Sequence, residues 1–366
     1  MKILYDHQAF TFQNYGGISR YYSELMNYYQ ISSQIDFDLS LLYSNNQYLN
    51  DDCSIKHKTF FEGFEFISKI SMMTILNKRH SIKIVANGNY DVFHPTYYDP
   101  YFLGALNGKP YVVTVHDMIH EFFPRNYSII NNTARNKRKL VEQAAGVIAV
   151  SNTTKEDIVR FYGIDSERIT VVYHATTFPT VNDGHLSIPL PEKYMLYVGD
   201  RGVYKNFSFF LNAVGDLIKC DDDLFLVCAG GGPFSSTEKQ HMALLGIKNK
   251  ILHFEIHDEI LSVLYHNARA FVFPSLYEGF GIPILEAFAS NCPVISSDAG
   301  ALPEVADSAA VYFDPRDSES IAESVGKVIY DETYRRQLIA EGEKRLKIFS
   351  WQKTAEKTEA VYRSVL

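Results

Sequence analysis

Short apolar runs alternate with helical patterns along almost the whole 366-residue chain, and this alternation constrains the fold more than any other feature. Strands that alternate with helices form βαβ units, in which consecutive strands run parallel. The pattern predicts strands at 2–5, 37–43, 92–94, 111–115, 146–150 and 169–172 in the first half, and at 194–198, 224–229, 251–254, 270–273, 293–297 and 310–313 in the second.

The alternation stops once, between residues 176 and 191, where three prolines and a glycine lie among small polar residues. Such a segment is typical of a linker, and the chain is longer than one ordinary domain. We therefore predict an α/β protein with two Rossmann-like, doubly wound domains that face an inter-domain cleft. The predicted domains span 1–175 and 192–350, and a final helix over 351–366 crosses back to the first domain.

Apolar residues recur at helical spacing from Ile18 onward, directly after the first predicted strand. Another helix is predicted near Thr153, because Thr153 and Glu156 match a capping box. The chain ends in helical segments at about 318–348 and 351–365.

Composition indicates a globular protein and argues against nucleic acid as a partner. Hydrophobic residues make up 46% of the chain and charged residues 21%, so a large core can form. The formal net charge of −8 argues against binding nucleic acid, whose partners are normally basic.

Cysteine usage and the apolar pattern indicate a cytoplasmic protein. The four cysteines are far apart and form no CxxC pair, which argues against a zinc site and a disulfide framework: Cys53, Cys220, Cys228 and Cys292. Polar residues arrive too early for a signal peptide, and no run approaches the ~18 apolar residues of a spanning helix. Any membrane association is therefore expected to be peripheral.

Ligands of doubly wound sheets bind beyond the carboxyl ends of the strands, so the loops after strands deserve most weight. Gly16 and Gly17 follow the first strand, and they either form a turn with positive φ or bring backbone amides close to an anion. Gly199, Arg201 and Lys205 follow the strand at 194–198. Two cations in one such loop suit a diphosphate, whose negative charge grows when it becomes a leaving group.

The segment 274–286, which follows the strand at 270–273, carries the strongest signal. Glu278 lies in a glycine-containing loop, and Glu286 lies where a helix begins at Pro283. Carboxylates near a buried helix start need hydrogen-bond donors, which the hydroxyl pairs of a sugar and a ribose would supply. The alternative for Glu286 is a simple interaction with the helix dipole.

Other polar clusters leave alternatives open. His116, Asp117 and His120 could be read as metal ligands, but no matching ligand cluster accompanies them, and no metal is expected. The segments 60–83 and 135–139 combine basic and apolar residues. Each is either a solvated helix face over the core or a surface for anionic lipid.

Taken together, these motifs resemble the retaining glycosyltransferases of family 4, which have the GT-B fold. Glu278 and Glu286 match the E-x7-E signature within Pro-Ser-x-Tyr-Glu-Gly-Phe-Gly-x-Pro. The resemblance covers nearly the whole chain, and its other matching segments are Gly16–Tyr21, His116-Asp117, Ala149–Thr154, Val198–Asn206 and Phe349–Trp351.

The resemblance implies a role for each matching residue. Glu278 would bind hydroxyls of the donor sugar, Glu286 the ribose diol, and His116 would lie beside the reacting carbon. Arg201 and Lys205 would bind the diphosphate. Backbone groups would complete the nucleotide-sugar site, at Gly16, Gly17, Gly199, Ile256 (beside the nucleobase), Phe280, Gly281 and Ile282. One departure concerns Asp200, which stands where many relatives have the arginine, so that Arg201 is displaced by one position.

The implied function is transfer of a hexose from a nucleotide-sugar donor to a glycan or polyprenyl-diphosphate-linked glycan acceptor, in surface polysaccharide synthesis. The resemblance favours a GDP-sugar such as GDP-mannose or a GDP-deoxyhexose, leaves a UDP-sugar open, and implies no cofactor or metal. It also leaves open a peripheral contact with the inner membrane surface.

Two alternatives belong to other classes. A dinucleotide-dependent oxidoreductase predicts GxGxxG after the first strand, and neither Gly16-Gly17 nor the run at 230–232 has that spacing. A non-catalytic sugar-nucleotide-binding subunit would be expected to lack Lys205 or the two glutamates, and all three are present.

Overall fold

A computed structural model describes residues 1–32, 35–49, 55–64, 66–128, 131–178, 189–255 and 258–366. The chain divides into two compact units, Met1–His174 with Ser350–Leu366, and Ala175–Phe349. Each division lies one residue from a predicted domain boundary. Most of the predicted linker, at 179–188, lies outside the described residues.

The first unit is built on parallel strands arranged in the order β2-β1-β3 and β4-β5-β6, and a parallel bridge between Phe93 and Tyr111 joins the two sets. The strands are β1 (Lys2–Asp6), β2 (Asp36–Ser40), β3 (Val92–His94), β4 (Val112–Val115), β5 (Gly146–Ala149) and β6 (Ile169–Val171). The helices are α1 (Gln8–Phe12), α2 (Gly17–Ser32), α3 (Lys69–Asn87), α4 (Ile119–Phe122), α5 (Thr133–Gln143) and α6 (Asn152–Tyr162).

The second unit is a six-stranded parallel sheet in the order β12-β11-β10-β7-β8-β9. The strands are β7 (Lys193–Val198), β8 (Leu224–Ala229), β9 (Ile251–Phe254), β10 (Ala270–Phe273), β11 (Val294–Ser297) and β12 (Ala310–Phe313). The helices are α7 (Phe207–Cys220), α8 (Ser236–Leu244), α9 (Asp258–Asn267), α10 (Ile282–Ala289), α11 (Leu302–Ala306), α12 (Ser318–Tyr330) and α13 (Glu332–Leu346).

The last helix, α14 (Trp351–Ser364), belongs to the first unit. Its side chains Val361 and Tyr362 lie in the buried core of that unit. The Tyr362 hydroxyl is 2.9 Å from the Tyr5 hydroxyl on β1 and 2.7 Å from Nδ1 of His94 on β3. The helix is therefore an integral part of the first unit although it comes last in the chain.

The predicted parallel α/β architecture is confirmed, and each predicted strand is present with ends that shift by up to three residues. The predicted capping box at Thr153 and Glu156 is wrong, because the N-cap of α6 is Ser151, whose side chain accepts from the Thr154 amide. The helical segment predicted at about 318–348 consists of two helices, because Asp331 has extended backbone and its side chain caps α13.

In the second unit, the connections from β7 and β10 leave in opposite directions along the sheet, so these neighbouring strands form a topological switch point. Open α/β sheets bind ligands at such points, beyond the carboxyl ends of the strands. The loop carrying Lys205 follows β7, and the loop carrying Glu278 follows β10. The topology therefore places both loops at the switch point.

Among the described helices, none combines the length and the apolar character that a bilayer-spanning segment requires.

Candidate functional site

Lys205 and Glu278 form an ion pair at the switch point of the second unit. Nζ of Lys205 lies 2.8 Å from Oε1 of Glu278, and the two side chains are only 13% and 12% exposed. The loops are also joined through their backbones, because the Leu276 amide donates to the Tyr204 carbonyl over 2.7 Å. The pair therefore presents an ammonium group, which binds phosphate, beside a carboxylate, which accepts from hydroxyls.

The backbone of Glu278 is held by a glycine that the sequence analysis missed. The Ala301 amide donates to the Glu278 carbonyl over 3.0 Å. Gly300 has a φ of +60°, and a Cβ there would lie 2.6 Å from the Glu278 carbonyl oxygen and 2.7 Å from its amide nitrogen. Glycine at this position is therefore required on two grounds, the left-handed backbone and the close approach of the Glu278 peptide. Gly300 lies far from Glu278 in sequence, and no local pattern marks it.

Lys205 is positioned by Asn206, which adopts a left-handed backbone with φ of 60°. Asparagine tolerates this conformation better than most residues. The Asn206 side-chain amide donates to the Pro315 carbonyl over 2.7 Å and anchors the turn between Lys205 and α7. Gly199 begins the same loop with a φ of +116°, and its amide donates to the Ala229 carbonyl on the neighbouring strand β8 over 2.9 Å.

Arg201 contacts the loop that follows β8. Its side chain is 5% exposed, and Nε donates to Oε1 of Glu238 over 2.5 Å. Nη1 donates to the Gly230 carbonyl over 2.9 Å, and Nη2 to the Gly232 carbonyl over 2.8 Å, with further contacts to the carbonyls of Gly231 and Pro233. All three guanidinium nitrogens are thus engaged within the protein. The predicted diphosphate contact of Arg201 stays a prediction, and in this arrangement the guanidinium fixes a glycine loop.

Glu286 lies one turn into α10, where its side chain is almost fully buried. The Tyr265 hydroxyl donates to its Oε2 over 3.3 Å. Gly281, directly before the helix, has a φ of +110°, and a Cβ there would lie 2.8 Å from Cδ2 of Leu302. The predicted backbone contacts at Phe280, Gly281 and Ile282 therefore fall at a tightly packed helix start.

His116, in the first unit, follows β4 directly and is buried. Burial lowers the pKa of its imidazole to about 3, so the ring is neutral at ordinary pH. Its backbone amide donates to the Tyr98 hydroxyl over 3.0 Å, and its ring stacks on His174 with centroids 5.6 Å apart. Nε2 of His116 has no hydrogen-bond partner within the described part of the chain. The uncharged imidazole can therefore form one hydrogen bond with a sugar through Nε2.

The neighbourhood of His116 includes a buried lysine. Lys137 is fully buried and donates to Oε2 of Glu121 and to the Asp117 carbonyl, each over 2.8 Å. Arg138 pairs with Glu142 over 2.7 Å. The cluster at 135–139 is thus partly internal and partly paired, which removes much of the basic surface that its sequence suggested. Nowhere in the described residues do three or more histidine, cysteine or carboxylate side chains gather in a way that could hold a metal.

Gly16 and Gly17 do not form a left-handed turn, since neither has positive φ. Gly17 is the first residue of α2. A Cβ at Gly16 would lie 2.6–2.8 Å from the Gln13 side chain, whose Oε1 accepts from the Ser19 amide. A side chain at position 16 would therefore displace the Gln13 amide from the Ser19 backbone. The interpretation of these glycines as a left-handed turn is wrong, because neither has positive φ. Ile256 lies outside the described residues, and its predicted nucleobase contact stays a prediction.

Comparison with protein families matches both units. The model for "Glycosyl transferases group 1" matches residues 181–345, and the model for "Glycosyltransferase Family 4" matches residues 15–176. The first matched region contains Lys205, Glu278 and Glu286, and the second contains His116.

The chain is similar to characterised bacterial proteins. It is 33% identical to the O-antigen chain mannosyltransferase RfbU of Salmonella typhimurium over 57% of this chain and 58% of that relative. It is 30% identical to the MMP alpha-(1->4)-mannosyltransferase of Mycolicibacterium hassiacum over 76% of this chain and 72% of the relative. Among solved structures, Anabaena HepE in complex with UDP and glucose has a TM-score of 0.77 at 16% identity and full coverage of both chains. This likeness supports the GT-B fold.

Proposed function

Because the chain is a glycosyltransferase of family 4, we propose that it transfers a hexose, with retention of anomeric configuration, from a nucleotide sugar to a glycan acceptor. The observation that carries this proposal is the Lys205–Glu278 ion pair at the switch point. In the proposed site, Lys205 binds the diphosphate and Glu278 accepts hydrogen bonds from hydroxyls of the donor sugar.

The Lys205–Glu278 ion pair is stable without substrate, and each of its two groups can bind a different part of a nucleotide sugar. At 2.8 Å the ammonium and carboxylate compensate each other's charge in a partly buried place. A nucleotide sugar offers a phosphate to the first and hydroxyls to the second, so both groups exchange one charge-assisted hydrogen bond for another. The diphosphate gains negative charge as its bond to the sugar breaks, and Lys205 stabilises this transition state more than the ground state.

Glu286 binds the ribose diol in this proposal. Its buried carboxylate accepts from Tyr265 through Oε2, and the hydroxyl pair of a ribose offers it two hydrogen-bond donors. Backbone groups at Phe280, Gly281 and Ile282 bind the sugar and phosphate. Gly16, Gly17, Gly199 and Ile256 complete the proposed nucleotide-sugar contacts.

Arg201 takes an indirect role. Its guanidinium donors are engaged by Glu238 and the carbonyls at 230–233, which supports a positioning function rather than the diphosphate contact predicted from sequence. Arg201 lies in the same loop as Lys205, so its hydrogen bonds to the glycine loop after β8 restrain the loop that carries Lys205. Lys205 is then the main cation for the diphosphate.

The proposed chemistry needs no covalent nucleophile. The acceptor oxygen bonds to the anomeric carbon on the face from which the diphosphate departs, and its proton passes to a phosphate oxygen. Neutral His116 forms a hydrogen bond beside the reacting carbon through Nε2. Because Lys205 serves the leaving group, no metal ion is required.

The names of the relatives guide the choice of substrates. Two are mannosyltransferases, and one of these acts on O-antigen chains, which favours GDP-mannose or a GDP-deoxyhexose and a glycan or polyprenyl-diphosphate-linked glycan acceptor in surface polysaccharide synthesis. HepE was solved with UDP, so a UDP-sugar is the second candidate.

A thermal-shift screen with GDP, UDP, dTDP and ADP tests the proposal. A ligand at 100 times its dissociation constant stabilises the fold by about 2.7 kcal/mol. We expect GDP to raise the unfolding temperature of the wild-type chain and to have a weaker effect on Glu286→Gln. A wild-type chain that responds to none of the four nucleotides would contradict the proposed function.

A further inference from the structure

Exposed apolar side chains concentrate in one segment of the first unit. Of the fifteen large apolar side chains that are exposed among the described residues, eight lie between Phe61 and Ile82. Four precede α3 and four lie on it: Phe61, Phe64, Phe66, Ile67, Ile70, Met72, Ile75 and Ile82. We call this set the apolar patch. Such a concentration on a folded protein marks an interaction surface.

On α3 the apolar patch forms a stripe. The opposite face of the helix is buried through residues spaced four apart, Lys69, Met73, Asn77, Ser81 and Val85. Met72, Ile75, Arg79 and Ile82 follow one another at spacings of three and four residues, which places them along the exposed face. The face therefore alternates apolar side chains with a cation.

The charge of α3 is opposite in sign to that of the whole protein. Residues 69–87 contain four lysine or arginine residues and no acidic residue, while the chain has a formal net charge of −8. Lys69 is buried and Lys78 pairs with Asp99 over 2.9 Å. Arg79 and Lys83 are exposed, and neither has an ion-pair partner among the described residues. An exposed apolar stripe that carries Arg79 within it and Lys83 beside it matches an anionic lipid surface.

From this combination we propose that the apolar patch docks on the surface of an anionic lipid bilayer, with Arg79 and Lys83 at the level of the headgroups. The inference deepens the proposed function and rests on its lipid-linked acceptor, which a bilayer would present. The same segment also lines a polar cavity of about 540 Å³, through Glu62, Gly63 and Lys69.

A second copy of the chain is a poorer occupant. A symmetric dimer brings the same patch of both copies together. Arg79 in the middle of the stripe would then face an equally charged patch, without an acidic residue on α3 to compensate. An anionic bilayer compensates both exposed cations.

Co-sedimentation of the full chain with vesicles tests the proposal. We expect binding to vesicles that contain 30% phosphatidylglycerol and at least tenfold weaker binding to pure phosphatidylcholine. Met72→Ser with Ile75→Ser should weaken binding by an order of magnitude or more. Arg79→Gln with Lys83→Gln should weaken it about 30-fold, since each cation at an anionic surface contributes about fivefold.

Matched controls lie outside the patch. Ile31→Ser with Leu244→Ser removes two apolar side chains that are 85% and 81% exposed. Lys239→Gln with Lys248→Gln removes two exposed cations from the second unit. Both control pairs should bind vesicles as the wild type does.

Three outcomes would overturn the inference: no binding of the wild type to anionic vesicles, equal losses in patch and control variants, or a dimer in analytical ultracentrifugation that only the patch variants dissociate.

The proposed function is tested separately by the GDP-induced thermal shift, which the patch variants should retain. If none of GDP, UDP, dTDP and ADP shifts the unfolding temperature while vesicle binding persists, the proposed function fails and the lipid surface remains.

Discussion

Replacing Glu278 by glutamine separates the two halves of the proposed site. The carboxylate accepts from Lys205 over 2.8 Å, so it competes with a diphosphate for the same ammonium group. Glutamine keeps the shape and one acceptor oxygen but loses the charge. The variant should therefore bind free GDP at least as well as the wild type, while transfer falls.

The magnitudes follow from the strength of hydrogen bonds to charged groups. Such bonds contribute about 1.5–3 kcal/mol, against about 0.5–1.5 kcal/mol for neutral ones. Weakening the competing bond by ~1 kcal/mol makes GDP affinity up to about tenfold tighter. Losing the carboxylate that binds the sugar hydroxyls should lower kcat/KM by roughly 10- to 150-fold.

Calorimetry with GDP and product release with the nucleotide sugar measure the two effects. Glu286→Gln is the matched control, since it should weaken GDP binding and transfer together through the ribose diol. Thermal unfolding verifies that both variants fold. If Glu278→Gln weakens free GDP as much as Glu286→Gln does, the assignment of sugar to one carboxylate and ribose to the other is wrong.

Three further results are expected. Gly300→Ala should lower kcat/KM at least tenfold, because the added Cβ would press on the Glu278 peptide. Its control is Gly163→Ala, where φ is +70° and no atom lies within 4 Å of the added Cβ, so only stability should fall, by ~1 kcal/mol. Equal activity in both variants would contradict this. Transfer should persist in EDTA, and activity that disappears with chelation and returns with Mg²⁺ would exclude Lys205 as the sole counter-charge. Burial holds the pKa of His94 and His116 at about 3, below the ordinary 6.5, so the unfolded chain binds more protons between these values. The free energy of unfolding should therefore be highest above pH 6.5 and fall toward pH 3 by ~1.4 kcal/mol per pH unit for each histidine. Urea unfolding, followed by the fluorescence of Trp351, the single tryptophan, measures this slope. Equal free energies of unfolding at pH 7 and pH 5 would refute the prediction.

The sequence allowed the parallel architecture and most of the candidate residues to be predicted, because their signals are local. Strand periodicity and the E-x7-E segment each lie within a short stretch of chain. The sequence indicates Lys205 and Glu278 separately, each through the chemistry of its own loop. That they form one ion pair depends on β7 and β10 being neighbours at the switch point, which only the folded topology provides.

The features that sequence reasoning missed depend on contacts between distant segments. Gly300 is required by the Glu278 peptide, and the Arg201 guanidinium is engaged by the loop after β8. Neither contact has a periodic or motif signal, since the partners approach only after the sheet has assembled. The wrong interpretation of Gly16 as a left-handed turn has a different cause: its neighbour Gln13 is only three residues away, and the glycine pair alone does not determine the sign of φ.

Turnover of Lys205→Ala tests the central claim most directly. The account assigns Lys205 to the charge that develops on the leaving diphosphate, and comparable oxyanion donors contribute about 2.7–4 kcal/mol. Release of nucleoside diphosphate from the nucleotide sugar, measured with a glycan acceptor, should fall about 10²- to 10³-fold in kcat. Lys219→Ala, which removes an exposed lysine from α7 in the same unit, should turn over like the wild type. Wild-type turnover in Lys205→Ala, or an equal loss in Lys219→Ala, would contradict the account.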